Sequence, residues 1–253
     1  MELPDQFNER VRSDLLKRAV LSIQSKKRQQ YGNDPEAGLK HVTYWKKRNN
    51  AYRSMKGKSY PSSRTPRKIQ VRRGSQLQGD GAESPNTRGG RRAHGPTAEK
   101  DFSEEINDKE RRKAIRAGIA ASADEELVSG KHDYTGEVPI VTDDINSIEK
   151  TQELKERLED LGLEDELKRC SEKKVRAGKG SNRGRKYRKR VGPLVVVAED
   201  EGVKNAASNL AGVDVSLVDQ LNAEKLAPGT EPGRLVVWSE KAVERLDEEE
   251  LYR

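Results

Sequence analysis

The run Leu194-Val195-Val196-Val197-Ala198 is the strongest indication of the fold in the sequence. Five consecutive apolar residues, three of them valine, are typical of a strand that is covered on both faces. Further strands are predicted over Val138–Val141, Val213–Val218 and Leu235–Trp238, and the apolar piece Leu167–Cys170 is interpreted as one more. Segments with helical periodicity separate these strands. Strands that alternate with helices favour an α/β fold with a mostly parallel sheet and helices on both faces.

Helical spacing of apolar residues predicts the helices between the strands. The predicted helices run from Ser13 to Gly32 at the latest, over Asn107–Ala121, from Ile148 to a stop at Gly162, and over Val203–Leu210, Ala223–Leu226 and Ser239–Leu246. Asn107 and Glu110 have the spacing of a capping box at the start of the second helix. Ile115, Ile119 and Leu127 are expected on its apolar side, and the acidic tail Asp247–Glu250 is expected to fray.

Composition excludes several classes of protein. Of the 253 residues, 32% are hydrophobic, 4% aromatic and 37% charged. A globular domain is usually about 45–50% apolar, so part of this chain is not expected to join a core. No apolar run approaches the roughly 18 residues of a membrane helix, and the acidic N-terminus does not resemble a signal peptide. A single cysteine excludes an intrachain disulfide and a cysteine-based zinc cage, so we expect an intracellular, soluble protein.

The net charge of +7 is distributed very unevenly. Sixteen Lys/Arg and three acids lie between Lys40 and Lys100, and ten Lys/Arg without any acid lie between Lys173 and Arg190. The remaining residues carry a net charge of −16. Like charges at this density repel one another and favour binding to a polyanion. The charge pattern therefore indicates an acidic body with two nucleic-acid-binding segments.

The first basic segment is too long for an ordinary loop. No convincing strand or helix is found from Gly32 to Glu105, and the residues there are too polar to offset their ordering entropy by burial. We therefore predict one α/β domain over 1–253, with a long basic extension inserted over 32–105 and a second basic RNA-binding segment over 173–190.

Cationic and aromatic residues of the two segments are the predicted RNA contacts. Aromatic rings among cations suit unstacked bases and irregular RNA, and glycines let a backbone approach phosphates. The candidates in the extension are Trp45, Lys46, Lys47, Arg48, Arg53, Arg64, Arg67, Lys68, Arg72, Arg73, Arg88, Arg91, Arg92 and His94. The candidates in the second segment are Lys179, Arg183, Arg185, Lys186, Tyr187, Arg188, Lys189 and Arg190. A solvated basic loop and a disordered tail without a partner are the alternatives.

Signals for catalysis are few. The loop 178–184 lacks the glycine of a dinucleotide fingerprint and the ending of a Walker loop. Asp143, Asp144, Glu199 and Asp200 follow predicted strands but have the pattern of solvated turn and cap residues. The sequence predicts no catalytic residue, metal or cofactor.

The histidines and the cysteine also lack a partner motif. His41, His94 and His132 lie far apart, and we expect them to be solvated or to face phosphates, since a metal site needs several convergent ligands. Cys170 is interpreted as a small buried hydrophobic residue.

Several motifs together resemble one protein family. The matching motifs, in chain order, are Val11-Arg12-Ser13-Asp14-Leu15, Gln30-Tyr31-Gly32, Gly89-Gly90-Arg91-Arg92-Ala93-His94, Asn107-Asp108-Lys109-Glu110-Arg111, Gly178-Lys179-Gly180-Ser181-Asn182-Arg183-Gly184-Arg185-Lys186-Tyr187-Arg188 and Leu221-Asn222-Ala223-Glu224-Lys225-Leu226-Ala227-Pro228-Gly229. They resemble universal large-subunit ribosomal protein four of the archaeal and eukaryotic type, and they span nearly the whole chain.

The resemblance implies a structural role in the cytoplasm, on the ribosome. It implies a globular domain on the outer face of the large subunit and an extension that threads ribosomal RNA to the wall of the polypeptide exit tunnel. The implied partners are large-subunit ribosomal RNA, neighbouring ribosomal proteins and the nascent chain near the tunnel, with no membrane. Two alternatives stay open: a regulatory RNA-binding protein that represses its own message, and an α/β nucleotide-dependent enzyme acting on RNA.

The sequence departs from the family pattern in two places. A short strand usually precedes the Leu-Pro pair that stands here as Leu3-Pro4. Either this strand is absent and the sheet lacks one strand, or the true start lies further upstream. Gln76–Thr87 carries Asp80 and Glu83 where the family more often has an arginine-rich, partly apolar stretch.

Overall fold

A computed structural model describes residues 3–38, 70–73, 76–81, 85, 90–143 and 145–253, and only the backbone over 70–73 and 76–81. Contacts divide the chain into two compact units. The first unit comprises Met1–Lys27 with Ser103–Arg253, and the second comprises Arg28–Phe102. The assignment of 32–105 as an RNA-ordered insertion within one domain stays a prediction.

The helices and strands of the described residues are numbered in chain order. The helices are α1 (Ser13–Lys26), α2 (Asp108–Ser122), α3 (Glu125–Ser129), α4 (Thr151–Asp160), α5 (Glu164–Ser171), α6 (Val203–Ala207), α7 (Ala223–Leu226) and α8 (Glu240–Glu248). The strands are β1 (Gln70–Arg73), β2 (Gln76–Gly81), β3 (Ile140–Thr142), β4 (Lys174–Val175), β5 (Tyr187–Arg188), β6 (Leu194–Val197), β7 (Asp214–Leu217) and β8 (Val236–Ser239).

A parallel sheet forms the centre of the first unit. In the described part of the chain it has four strands in the order β3-β8-β6-β7, and every neighbouring pair is parallel. Val195 of β6 lies opposite Val237 of β8 and Val215 of β7. Every residue of β6 and β8 is buried. The prediction of a strand at Leu194 that is covered on both faces is confirmed.

Alternate side chains of β6 enter two separate hydrophobic cores, as the alternation along a strand requires. Leu194 and Val196 lie in a core with residues of α2 and α8. Val195 and Val197 lie in a second core with residues of α3, α4 and α6. Helices therefore cover both faces of the sheet, and the predicted α/β class is confirmed.

Helix α1 packs on α2 through small side chains. Leu16 and Ala19 of α1 share a third core with Ala114 and Ala117 of α2, which lets the two helices approach closely. Six of the predicted helices correspond to α1, α2, α4, α6, α7 and α8, with their ends shifted by a few residues. Among the described residues, no helix combines the length and the apolar character that crossing a bilayer requires.

The interpretation of Leu167–Cys170 as a strand is wrong, because these residues lie in α5. A run this short does not reveal its period. The helix directs Cys170 and Glu166, four residues apart, into the interior. A charged residue at one of the buried positions hid the helical stripe from the sequence analysis.

The second unit contains a hairpin that was not predicted. Gln70–Arg73 and Gln76–Gly81 pair as antiparallel strands, with Arg73 opposite Gln76. The expectation of no strand between Gly32 and Glu105 is therefore wrong. Each strand has a single large apolar residue, too few for a visible alternation, and the Gly-Ser pair between them in the sequence was the hairpin signal.

The expectations for the cap and the apolar side of α2 are also corrected. Asn107 does begin α2, but its side chain makes no capping bond, and Glu110 instead accepts a hydrogen bond from Arg18 at 3.1 Å. Leu127, expected on the apolar side of α2, lies in the separate helix α3.

The acidic tail is held in place and does not fray as expected. Helix α8 continues to Glu248, and Arg245 bonds Glu249 at 2.8 Å one turn later. Tyr252 packs against the core and donates its hydroxyl to the carbonyl of Val218 at 2.7 Å.

Candidate nucleic-acid interface

The second basic segment, 173–190, folds into a short two-stranded hairpin. Strands β4 and β5 pair antiparallel, with Val175 opposite Tyr187. The N–H of Arg176 donates to the carbonyl of Lys186 at 2.8 Å, which extends the ladder beyond the strands. A 3-10 turn over Ser181–Arg183 lies in the loop between them.

Glycines shape the loop at the end of this hairpin. Gly178 and Gly184 have φ angles of +80° and +76°, which other residues rarely adopt. A β carbon on Gly180 would lie 2.9 Å from Cδ of Arg176, so the loop closes directly over an arginine side chain. A strand follows the loop where a nucleotide-binding loop requires a helix. The geometry therefore agrees with the exclusion of a nucleotide-binding loop.

The cations of the hairpin are exposed, and nearly all lack an acidic partner among the residues that the structure describes. Of its ten Lys/Arg, only Arg190 forms an ion pair within the described part of the chain, with the exposed Glu172 at 3.2 Å. The hairpin brings together every RNA-binding residue predicted for this segment: Lys179, Arg183, Arg185, Lys186, Tyr187, Arg188, Lys189 and Arg190, all exposed. Nine unpaired like charges on so short a hairpin repel one another, and phosphate groups would relieve that repulsion.

Two arginines from the globular part hold the root of the hairpin. Arg169 donates from Nη2 to the carbonyl of Val191 at 2.9 Å. Arg234, only 2% exposed, donates from Nε to the carbonyl of Gly192 at 3.0 Å and from Nη2 to Asp214 at 2.5 Å. Burial lowers the pKa of Arg234, and the neighbouring carboxylate of Asp214 opposes this shift. The hairpin thus starts from a fixed base.

Arg169 is itself fixed by Glu166, whose side chain is fully buried. Arg169 donates to both carboxylate oxygens, from Nε at 2.7 Å and from Nη2 at 2.6 Å. Nδ1 of His132 lies 2.6 Å from Oε1, and the N–H of Asp133 donates to Oε2 at 3.0 Å. Burial alone would raise the pKa of Glu166, but the bonds from Arg169 and His132 outweigh it and lower the pKa to about 2. The carboxylate is therefore charged at neutral pH and forms the centre of a buried polar cluster.

The expectation for the histidines is wrong for His132. It is only 6% exposed, because its ring bonds the buried carboxylate. His94 is exposed as expected, and His41 lies outside the described residues. In the described part of the chain, no three His, Cys, Asp or Glu side chains are placed to share a metal ion.

Cys170 is buried, as predicted, at 5% exposure. A β carbon on Gly192 would lie 2.6 Å from its Sγ, so the thiol packs directly against the chain that leaves the hairpin. Burial raises the pKa of this thiol to about 11, which keeps it protonated at neutral pH.

Two aromatic rings stack within the second unit. The rings of Tyr31 and Phe102 lie 5.8 Å apart at an angle of 6°. The guanidinium of Arg28 lies 4.3 Å from the centre of the Phe102 ring, and Nζ of Lys100 lies 5.6 Å from it. Sequence reasoning missed this cluster, although an aromatic residue beside a cation near each end of the extension was a usable signal.

Of the acidic residues considered for an enzyme, Asp200 has a structural role. Asp200 accepts hydrogen bonds at 3.3 Å from the N–H groups of Gly202 and Lys204, at the start of α6. Asp143 and Glu199 are exposed, and Asp144 lies outside the described residues. The interpretation of Asp200 as a turn and cap residue is confirmed.

Comparison with known proteins decides the family. The model of the ribosomal protein L4/L1 family matches residues 1–249. "Large ribosomal subunit protein uL4" of Nanoarchaeum equitans is 45% identical over 254 residues, which cover 100% of this chain and 94% of the relative. The proteins of the same name from Halobacterium salinarum and Methanothrix thermoacetophila are 43% and 45% identical over 97% of this chain, covering 93% and 92% of the relatives. The chain belongs to the ribosomal protein L4/L1 family. The resemblance found in its motifs is confirmed.

In this L4/L1 family protein, most predicted contacts of the extension cannot be compared with the structure. Arg91, Arg92 and His94 are exposed. Only the backbone of Arg72 and Arg73 is described, in β1. The remaining candidates lie outside the described residues: Trp45, Lys46, Lys47, Arg48, Arg53, Arg64, Arg67, Lys68 and Arg88.

Proposed function

We propose that this protein binds large-subunit ribosomal RNA during assembly, with the hairpin 173–190 and the extension 32–105 as its two RNA-binding segments. As a member of the L4/L1 family it is a structural constituent of the large ribosomal subunit and not an enzyme. Its partners are accordingly ribosomal RNA and ribosomal proteins, and its location is the ribosome in the cytoplasm.

One observation carries the proposal for the hairpin. Nine of its cations have no acidic partner among the described residues, yet the root of the hairpin is anchored by the buried Arg234 and the largely buried Arg169. A fixed, unneutralised cluster of cations is suited to hold RNA phosphates, which release counterions on binding. The buried anchors reduce the entropy that is lost when the hairpin meets RNA.

We also propose that the extension reaches the wall of the polypeptide exit tunnel and meets the nascent chain there. The family resemblance supports this role. This role concerns the arginines of β1, Arg72 and Arg73, and the acidic residues that follow in the extension, Asp80 and Glu83. The acidic stretch would bind RNA phosphates less strongly than the arginines that flank it in the sequence.

A salt titration of RNA binding tests the role of the hairpin. The logarithm of the affinity for a large-subunit ribosomal RNA fragment falls with the logarithm of the salt concentration by about 0.7–0.9 per phosphate contact. Replacing Arg183, Arg185 and Arg188 together by Gln should therefore lower this slope by about 2–3.

A matched control removes the same charge elsewhere. Arg18 and Arg111 are also exposed and Arg12 is half-exposed, but each is paired with a carboxylate. The partners are Asp14 for Arg12, Glu110 for Arg18 and Asp108 for Arg111. Their joint replacement by Gln should leave the slope nearly unchanged. Equal slopes for the two triple variants would contradict phosphate binding by the hairpin, as would a wild-type protein that fails to cosediment with large subunits.

A further inference from the structure

The two faces of the β4–β5 hairpin differ in chemistry. Residues directly opposite each other on paired strands share a face, and successive residues alternate between faces. Val175 lies opposite Tyr187, and Lys174 lies opposite Arg188. One face therefore presents an apolar and aromatic pair, and the other presents two cations.

The apolar face is open to solvent. Val175 is 61% exposed and Tyr187 is 47% exposed. Nζ of Lys186 lies 5.5 Å from the centre of the Tyr187 ring, so a cation already borders this ring. A valine exposed to this extent beside a half-exposed tyrosine contributes little to the stability of the fold, and both side chains are accessible to a partner.

The opposite face of the hairpin carries cations that repel one another. Like charges directly across a strand pair are destabilising, as for Lys174 and Arg188. By the same alternation Arg176, whose N–H donates to the carbonyl of Lys186 at 2.8 Å, adds a third cation to this face. None of these three cations forms an ion pair with another residue that the structure describes.

We propose that the hairpin binds RNA with both faces: the cationic face on phosphates, and the Val175–Tyr187 pair stacked on one unpaired nucleobase. The proposal rests on the RNA-binding function proposed above and assigns a base-binding site to that hairpin. A tyrosine ring and the adjacent methyl groups of a valine offer a flat apolar surface that suits the face of a base.

The surrounding charge favours a nucleobase over an apolar protein surface. By strand alternation Lys173 and Lys189 lie opposite each other on the apolar face, next to Val175 and Tyr187 at the root of the hairpin. An apolar protein surface would leave these ammonium groups without counterions, whereas an unpaired nucleotide brings its phosphates with its base. Bases inside a duplex are not accessible to such a stack, so the target is a loop, bulge or single strand.

Substitutions in the full-length protein test the stack through two quantities, the loss of RNA affinity and the salt dependence of binding. With a large-subunit ribosomal RNA fragment, Tyr187→Ala should weaken binding by about 5- to 150-fold, as for the loss of one stacked base. Tyr187→Phe should bind within about twofold of wild type, since the ring is kept. Neither substitution should change the salt slope, because no phosphate contact is removed.

Valine substitutions provide a matched pair. Val175→Thr keeps the β-branched shape but makes the apolar face more polar, and it should weaken binding severalfold. Val191→Thr makes the same change at a side chain that is 41% exposed just beyond the hairpin, and it should bind as wild type. Thermal unfolding midpoints should be unaffected in all four variants, which separates a lost contact from a lost fold.

Photo-crosslinking identifies the base. RNA that contains 4-thiouridine should crosslink to the peptide that carries Tyr187. An abasic nucleotide at the crosslinked position should weaken wild-type binding as much as Tyr187→Ala does, and it should cause no further loss in that variant.

The outcomes distinguish the base stack from the function on which it rests. If Tyr187→Ala binds as wild type while the arginine triple variant loses salt slope, the stack is refuted and phosphate binding stands. A reduced salt slope in Tyr187→Ala, or additive losses from the abasic RNA and the variant, would also overturn the stack. If the wild-type protein binds no ribosomal RNA, both proposals fail.

Discussion

Replacing Glu166 by Gln should destabilise the protein, because it removes the charge at the centre of the buried cluster while keeping the size of the side chain. The carboxylate accepts two bonds from Arg169 at 2.7 and 2.6 Å, lies 2.6 Å from Nδ1 of His132 and accepts one bond from the N–H of Asp133 at 3.0 Å. An amide cannot accept all of them, since its nitrogen is a donor. At least one buried donor must therefore lose its partner.

The pKa of Glu166 sets the size of the effect. These bonds lower the pKa to about 2 from the ordinary value of 4.5. At about 1.4 kcal/mol per pKa unit, the folded state favours the charged carboxylate by about 3 kcal/mol. For a chain of this length, that corresponds to a fall in the unfolding midpoint of about 6–12 °C at neutral pH.

The same pKa predicts how the effect depends on pH. The folded pKa lies below the unfolded one, so the unfolded state binds more protons as the pH falls through this range. The stability contributed by Glu166 is therefore complete above about pH 4.5 and is lost progressively toward pH 2. The difference in stability between wild type and Glu166→Gln should shrink over that interval.

Thermal unfolding followed by circular dichroism measures both effects. Glu164→Gln on the same helix is the matched control, because Glu164 is 62% exposed and pairs only at the surface with Lys168, at 2.7 Å. That variant should stay within about 0.5 kcal/mol of wild type. If Glu166→Gln unfolds at the same temperature as Glu164→Gln, the cluster contributes nothing to stability and the reasoning is refuted.

Three further predictions concern the packing around the hairpin and the role of the extension. Gly192→Ala should lower the unfolding midpoint by about 2–10 °C, because the new β carbon would lie 2.6 Å from Sγ of Cys170. Adding Cys170→Ala should restore part of the lost stability. If the effects of the two substitutions on the thermal melt are strictly additive, the contact is contradicted. Cys170 in the folded protein should react with a thiol reagent at pH 8 only as fast as the protein unfolds, since the pKa of the thiol is raised to about 11. Rapid labelling without denaturant would exclude a buried thiol. Replacing 28–102 by a short glycine–serine linker should leave cooperative unfolding intact and should weaken RNA binding. The reason is that none of the residues described in that range belongs to the three hydrophobic cores. Loss of the melting transition would show that the extension belongs to the fold.

The central sheet could be predicted from the sequence because its strands are buried on both faces. Leu194–Val197 is a continuous apolar run, and Val236–Ser239 is apolar up to its final serine, a signal that does not depend on distant parts of the chain. The order of the strands could not be predicted in the same way. β8 lies between β3 and β6, a pairing between segments about 40 and 95 residues apart that no local pattern encodes.

The sequence did not reveal elements whose apolar pattern is interrupted or very weak. The helix α5 has eight residues, and one of its buried positions is the charged Glu166, so its apolar stripe is interrupted. The hairpin of β1 and β2 shows too little alternation to be distinguished from a polar loop. In both cases the missing information is the identity of a partner. Glu166 is buried because it pairs with Arg169, and β1 and β2 are strands because they pair with each other.

The sequence predicted correctly that the cations of the hairpin are exposed, but it did not identify the arginines with structural roles. Arg188 and Arg234 look alike in the sequence, yet Arg188 is exposed on the hairpin and Arg234 is buried beneath it. Composition does not distinguish an arginine that binds a phosphate from one that binds a carboxylate or a backbone carbonyl. A carboxylate three residues away on a helix, as for Glu166 and Arg169, is the local signal that would have helped.

The position of Arg169 connects the stability of the globular part with RNA binding. One guanidinium bonds Glu166 on its own helix and the carbonyl of Val191 at the end of the hairpin, so it links the fold to the root of the RNA-binding segment. Arg169→Lys keeps the charge, but a single ammonium group lacks the fork that bonds both oxygens of Glu166 and reaches Val191 as well. We expect a freer hairpin that binds RNA more weakly, at an unchanged salt slope because no phosphate-binding cation is lost. Lys168→Arg on the exposed side of the same helix is the control and should bind as wild type. Wild-type RNA affinity in an Arg169→Lys protein that melts at a lower temperature would limit Arg169 to a role in stability and leave the hairpin's rigidity without a part in binding.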